Sequence, residues 1–215
     1  MTKSTNMRTI LPLTLFLLLF LTCCKSKEEK AQDLIKTEMF KTLYDFESYE
    51  PIETKIDSAF RTIYLDSTAL AYGYLLFKEL DEINNYLDEA KSAQSTMEIW
   101  EDSYSSYGLR KYYEAKNKVD ICLAKAKECF ALMEIYGDSI RKINLNIKPE
   151  FFGWKVSHKF RCKTKGGNFD IGNHIFYANP DMSKIIYQEN VDDESLIKIK
   201  NLISEAIEKT DTITN

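Results

Sequence analysis

Glycine, proline and histidine are scarce in this chain of 215 residues, which contains 7, 4 and 2 of them respectively. Aromatic residues make up 13% of the chain, so we expect an interior well supplied with large rings. The chain also lacks a P-loop, a dinucleotide-binding fingerprint and the G-x-S-x-G and H-E-x-x-H motifs. The sequence therefore predicts no catalytic residue, no cofactor and no metal site, and we interpret the chain as a non-enzyme.

An excess of positive charge is also missing. Residues 1–23 contain Lys3 and Arg8 and no acidic residue, so the rest of the chain carries 27 basic and 33 acidic side chains. Nucleic-acid partners generally require a cationic surface that releases counterions. We therefore predict no nucleic-acid partner. The 44% hydrophobic and 29% charged residues are typical of a folded body.

The one long apolar run is too short to span a bilayer. It covers residues 10–21 behind the basic Lys3 and Arg8, whereas a transmembrane helix needs roughly 20 apolar residues. This pattern is typical of a secretion signal, and we predict a signal peptide over residues 1–23.

Two adjacent cysteines follow the apolar run. The stretch Leu21-Thr22-Cys23-Cys24 resembles a bacterial lipobox, with leucine three residues before a cysteine. The resemblance implies that Cys24 carries the lipid, including a palmitate, and holds the protein in the cell envelope as an outer-membrane lipoprotein. Cys23 stands where glycine, alanine or serine is usual, so Cys23 is the alternative lipidation site. An ordinary signal peptide with two incidental cysteines is the other alternative.

A charged stretch, Lys25-Ser26-Lys27-Glu28-Glu29, comes next. A lysine followed by two acids resembles the surface-export signal of Bacteroidota-type lipoproteins; a solvated tether is the alternative. We predict a tether over residues 24–33, a single domain over 34–209 and a flexible tail over 210–215.

Three further cysteines lie in the body of the chain. Cys122 and Cys129 are seven residues apart on a predicted helix, which places their Cα atoms ~10.5 Å apart. A disulfide needs less than about 7 Å, so these two cannot pair within one helix. With no C-x-x-C motif and no nearby zinc ligands, we expect them and Cys162 to be unpaired small hydrophobic residues.

Helical periodicity dominates the first two thirds of the chain. A first helix is predicted over 28–47; residues 51–62 fit either a strand or a helix, and Pro51 and Thr54 favour the strand. A long helical hairpin is predicted over about 66–147, starting at the N-cap Asp66. Its second helix has the heptad spacing of a coiled-coil seam. That predicted seam contains Tyr112, Lys116, Val119, Leu123, Ala126, Phe130, Met133, Gly137 and Ile140. A homodimer through the same seam is the alternative to an intramolecular hairpin.

Strand-like sequence follows Pro149. Gly166-Gly167 is predicted to form a two-residue hairpin turn, so that the numbers of facing residues sum to 333. This register places His158 and His174 on opposite faces, where they cannot share a metal. A third strand over 184–188 and a final helix that starts at Asp192-Asp193 complete the pattern, with that helix covering the sheet. The predicted class is α+β: a small antiparallel sheet of three or four strands, flanking helices and a long antiparallel helical hairpin.

This arrangement resembles Bacteroidota-type lipoproteins. The resemblance is carried by "SYEPIET", "GWKVSHKFRCKTKGGNF" and "NPDMSKIIY", together with the helical hairpin. These motifs are structural, and no activity attaches to the family, so nothing catalytic is implied.

Two surfaces are candidate contact sites. Trp100, Tyr104 and Tyr107 cluster where the hairpin should turn, and rings of this kind often anchor interfaces. Lys155, Lys159, Arg161 and Lys163 should form a basic row on one sheet face, an expected anion site. For both surfaces a purely structural role is the alternative.

We interpret the chain as a membrane-anchored envelope lipoprotein that binds another envelope protein or a glycan. An immunity or inhibitor lipoprotein against a toxin or hydrolase is one alternative, and an enzyme of unrecognised type is another.

Overall fold

The computed structural model describes residues 25–209, which form two compact units. Within this range, one unit comprises 25–60 and 151–192, and we refer to it as the sheet unit. The other unit comprises 61–150 and 193–209, and we refer to it as the helical unit. The α+β class is confirmed, with four helices and one four-stranded antiparallel sheet in the described residues. We predicted a single domain over 34–209 with a helical insertion over about 66–147; the hydrophobic core around that hairpin also contains Ile63 and, from the final helix, Ile203 and Ala206.

The sheet unit is an antiparallel meander behind one helix. It contains α1 (Lys27–Thr42), β1 (Asp45–Phe60), β2 (Phe151–Lys163), β3 (Phe169–Ala178) and β4 (Ile185–Asn190), with the strands in the order β1-β2-β3-β4. The ambiguous stretch 51–62 is thus a strand as far as Phe60.

Helix α1 covers one face of the sheet, and both of its ends differ from the prediction. It begins at Lys27 behind the N-cap Ser26, so most of the predicted tether is helical. It ends at Thr42, before the predicted end at residue 47. Phe46 therefore reaches the core from β1 and not from the helix. The buried core between helix and sheet contains Ala31, Ile35, Met39, Val156, Phe160, Phe176, Ala178 and Met182.

The register of β2 against β3 is one residue away from the prediction. Facing residues sum to 332, as in the pair Lys163 and Phe169. The loop has three residues, 165–167, rather than two: the Gly167 amide donates to the Thr164 carbonyl at 2.9 Å, and Gly167 has φ +82°. This is the type I turn with a left-handed glycine that three-residue hairpins use. Because side chains alternate along a strand, the slip turns every predicted β3 residue to the other face.

The helical unit contains a short 3₁₀ helix (Ile63–Leu65), α2 (Ser67–Trp100), α3 (Ser106–Asn146) and α4 (Glu194–Glu208). Asp66 caps α2 as predicted, accepting hydrogen bonds from the amides of Thr68 and Ala69 at 3.0 and 2.9 Å. The core contains Ile63, Ala69, Leu76, Ile140, Ile203 and Ala206.

The seam of the hairpin agrees with the prediction in part. Of the predicted residues, Ala126, Gly137 and Ile140 are buried, and Val119 and Met133 are partly buried. The helix also buries Gly108, Ala115, Cys122 and Cys129, which the prediction omits. Leu123 and Phe130, predicted as seam residues, are about half exposed. The buried positions that the prediction omits thus carry small side chains, whereas the larger Leu123 and Phe130 beside them are partly in solvent.

The final helix does not have the predicted role of covering the sheet. Its apolar side is the predicted one, with Ile203 and Ala206 buried, but that side packs in the core of the helical unit against α2 and α3. The helix that covers the sheet is α1, at the other end of the chain.

Candidate functional site

The turn between α2 and α3 brings the predicted aromatic residues together. Trp100 ends α2, Tyr104 lies in the connection, and Tyr107 is in the first turn of α3. Tyr104 is 98% exposed and Tyr107 is 53% exposed. We refer to Trp100, Tyr104 and Tyr107 as the aromatic tip.

The aromatic tip is held by a compact turn. The rings of Trp100 and Tyr107 meet edge to face with centroids 5.5 Å apart, and the guanidinium of Arg110 lies 5.4 Å from the Tyr107 ring centre. The Ser105 hydroxyl caps α3 by accepting from the Gly108 amide at 3.0 Å. A Cβ on Gly108 would lie 1.9 Å from the Ser103 hydroxyl oxygen, so only glycine fits there. The Tyr107 ring thus packs against Trp100, whereas the Tyr104 ring is almost fully exposed.

The predicted basic row lies on the sheet face opposite α1 and is matched by acids of β1. The four basic residues pair directly with acidic ones across the β1–β2 ladder: Lys155 with Asp57, Lys159 with Glu53, Arg161 with Glu50 and Lys163 with Asp45.

Two contacts show how this matching works. The Arg161 guanidinium lies 3.9 Å from the Glu50 carboxylate and 4.0 Å from the centre of the Phe169 ring. The pKa of Glu53 is lowered by the hydrogen-bonded Lys55 ammonium and, to a lesser extent, by Lys159. These contacts favour a structural role for the row, and the anion site stays a prediction.

The two histidines, predicted to lie on opposite faces, are direct cross-strand partners on the core face. His158 is 4% exposed. Its Nε2 lies 2.7 Å from the Tyr49 hydroxyl and its Nδ1 lies 2.9 Å from the Thr54 hydroxyl. Tyr49 and Thr54 are more than 100 positions from His158, so no local sequence pattern could have identified them as partners.

Burial keeps this histidine neutral. The pKa of His158 is lowered to about 4, first by desolvation and then by the neighbouring His174. Burial also lowers the pKa of His174, an effect that the Asp192 carboxylate partly opposes. Both His158 nitrogens have hydroxyl partners, so the hydrogen-bonding capacity of this ring is satisfied within the protein.

Cys122, Cys129 and Cys162 are free thiols, as expected. Cys122 and Cys129 are buried in the hairpin seam, and desolvation raises the pKa of the Cys129 thiol. Desolvation also raises the pKa of Cys162. A raised pKa leaves less reactive thiolate, which fits a packing role.

The charged stretch after the predicted lipobox makes structural contacts at the start of α1. The Glu29 amide donates to the Ser26 hydroxyl at 3.1 Å, and the Ser26 amide donates to the Glu29 carboxylate at 2.8 Å. Lys25 forms an ion pair with Asp33. These contacts are compatible with either interpretation of the stretch, and the export signal stays a prediction.

Cys23 and Cys24 lie outside the described residues. Between residues 25 and 209, no group of three or more His, Cys, Asp or Glu side chains could hold a metal ion. No helix within that range is long and apolar enough to cross a membrane.

Comparisons with models of protein families, with curated proteins and with solved structures gave no match.

Proposed function

We propose that this protein is a lipid-anchored envelope protein that binds another envelope protein through the aromatic tip. The observation that carries the proposal is the exposure of Tyr104 and Tyr107 at the turn of a long helical hairpin, beside the Trp100 ring. Tryptophan and tyrosine are enriched in binding hot spots because large rigid rings lose little conformational entropy on contact.

The electrostatics of the tip support a protein partner of mixed charge. Arg110 and Lys111 lie over the Tyr107 ring at 5.4 and 5.9 Å, while Glu101 and Asp102 in the connection are exposed. Both signs of charge thus border the rings, as is usual for the polar rim of a protein interface.

The proposed lipid anchor would determine where in the cell envelope the protein acts. Acyl chains on Cys24 would bury methylene groups at ~0.8 kcal/mol each, and more than one chain makes the attachment stable. This anchor would confine the aromatic tip to partners in the same compartment.

Photo-crosslinking in cells tests the proposal. A photoreactive phenylalanine analogue at Tyr104 should capture a discrete partner. The matched control is Tyr74, a 57% exposed tyrosine on α2, where we expect no such product. The same adduct from both positions, or none from Tyr104, would refute binding through the tip. A toxin or hydrolase as the captured partner would identify the protein as an immunity or inhibitor lipoprotein.

A further inference from the structure

Helix α1 belongs to the sheet unit from its first turn. The reciprocal bonds between Ser26 and Glu29 form a capping box that fixes the helix start at Lys27. Ala31 is 1% exposed, Ile35 2% and Met39 0%, so the helix is packed on the sheet within one turn of its start. Only Lys25 and Ser26 thus separate Cys24, the predicted lipidation site, from the first residue of the helix.

The length of chain before α1 limits how far the unit can stand from a lipid on Cys24. Only three peptide steps join Cys24 to Lys27, and a fully extended chain spans at most ~3.6 Å per step. The two Cα atoms are thus within about 11 Å of each other. The polar region of one leaflet is itself roughly 5–7 Å thick. An acylated Cys24 would therefore hold the start of α1 at the headgroups.

The surface beside the start of α1 is suited to that location. The Lys27 ammonium lies 3.4 Å above the centre of the Trp154 ring. The ring centres of Trp154 and Phe151 are 5.4 Å apart, and those of Phe151 and Phe60 are 6.1 Å apart. Phe60 is 48% exposed and Phe151 is 45% exposed. We refer to Phe60, Phe151 and Trp154 as the aromatic row.

The chemistry of the row matches a membrane interface. Tryptophan is enriched at headgroup depth because its ring is largely apolar and its one N–H must keep a polar partner. The Trp154 indole donates to the Pro180 carbonyl at 2.9 Å, so contact with the interface would leave that N–H paired within the protein. A lysine beside the rings is attracted to anionic headgroups.

We propose that the aromatic row, with Lys27, is a membrane-contact surface that rests in the headgroup region of the leaflet that carries the anchor. This inference depends on the lipid anchor of the proposed function. The occupant is the bilayer interface, because the short spacer brings that interface to the row whether or not a protein partner is present.

Tryptophan quenching tests the contact, since the chain has only two tryptophans, Trp100 and Trp154. The lipidated full-length mature protein is reconstituted into phosphatidylethanolamine–phosphatidylglycerol vesicles that contain a headgroup spin-labelled lipid. In Trp100→Phe, the remaining Trp154 fluorescence should be strongly quenched. In Trp100→Phe with Trp154→Phe and Phe169→Trp, the single tryptophan lies at the other end of the β2–β3 pair in the same unit and should be quenched several-fold less. Quenching of Trp154 that is no stronger than that of the tryptophan at position 169 would overturn the inference.

A second set of variants distinguishes membrane contact that is due to the aromatic row itself from contact that the short spacer imposes. Insertion of about twelve glycine and serine residues after Cys24 adds a mean span of roughly 18 Å. In this background Trp154 should stay quenched, and Phe60→Ser with Phe151→Ser should reduce the quenching several-fold. Phe169→Ser, an exposed phenylalanine at the other end of the β2–β3 pair, should leave it unchanged. Loss of quenching on insertion alone would overturn the contact surface.

The mass of the N-terminal peptide keeps the two proposals distinguishable. An unacylated peptide would refute the anchor and remove the basis of the contact. An acylated chain with unquenched Trp154 would overturn the contact alone and leave the anchor intact.

Discussion

At the scale of single residues, the buried His158 links stability to pH. The folded pKa of about 4 lies below the ordinary value of 6.5, so the unfolded chain takes up the proton first as the pH falls. The neutral histidine thus contributes its full stabilisation above pH 6.5, and the contribution is lost progressively from there to pH 4. The shift corresponds to a loss of about 3 kcal/mol at most.

Urea unfolding at pH 7 and at pH 4 measures this loss. From pH 7 to pH 4, the free energy of unfolding should decrease in both proteins. The decrease should be smaller in His158→Gln by up to about 3 kcal/mol, because glutamine does not titrate. Carboxylates titrate in both proteins, so the difference between them isolates the histidine. Equal losses in both would contradict the assignment.

The one-residue difference between the predicted and observed register of β2 and β3 can also be tested at a single residue, Gly172. In the structure Gly172 faces Phe160, and an added Cβ would lie 2.5 Å from the end of that ring. Phe160 is 2% exposed and cannot move away freely. Gly172→Ala should therefore lower the free energy of unfolding by about 1–3 kcal/mol.

Gly166→Ala is the matched control, since its added Cβ would contact only the Thr164 hydroxyl at 3.7 Å. It should change stability by less than about 0.5 kcal/mol in chemical unfolding. In the register predicted from the sequence, Gly172 faces outward and both substitutions would be neutral. Apolar residues occupy both faces of β3, with Ile171 and Ile175 on one and Phe176 on the other, so alternation alone could not choose between the registers.

At the scale of elements, helix starts and stretches with local signals were predictable. Asp66 before α2 and Asp193 before α4 both act as caps, and the strand over 51–62 was favoured by its composition. The hairpin seam was less predictable. Periodicity identifies an apolar stripe only to within one position. The prediction places larger apolar residues such as Leu123 in the seam, whereas the structure buries the neighbouring Ala115 and Cys122.

Overpacking tests that seam. Ala115 is 6% exposed in it, so Ala115→Leu should destabilise the protein by about 1–3 kcal/mol as the longer side chain separates the helices. Ala124→Leu places the same side chain at an exposed position of α3 and should stay within about 0.5 kcal/mol. Thermal and urea unfolding measure both. A neutral Ala115→Leu would mean that the helices are not closely packed there.

At the scale of the whole molecule, the sequence indicated the fold class but not which helix belongs to which core. Helix α4 has the amphipathic pattern that either a sheet or a helical hairpin could bury, and nothing within its own residues distinguishes the two. Ala31, Ile35 and Met39 of helix α1 pack against the sheet, and their spacing likewise does not indicate which core they join. The pairing of distant segments depends on shape complementarity across more than 100 residues. For the same reason the Tyr49–His158–Thr54 cluster could not be predicted, whereas the aromatic tip, which is local in sequence, could.

The proposed placement of the molecule on a membrane depends on which of the two cysteines, Cys23 or Cys24, would carry the lipid. Labelled palmitate supplied to cells should enter the native protein and be absent from Cys24→Ala, because the thioether needs the cysteine sulfur. Cys23→Ala is the control and should retain the label, since alanine is a usual residue at that position of a lipobox. Retention in Cys24→Ala with loss in Cys23→Ala would move the anchor by one residue. The spacer before Lys27 would then lengthen by only ~3.6 Å, too little to lift the sheet unit away from the headgroups. Absence of label from the native protein would refute the anchor itself.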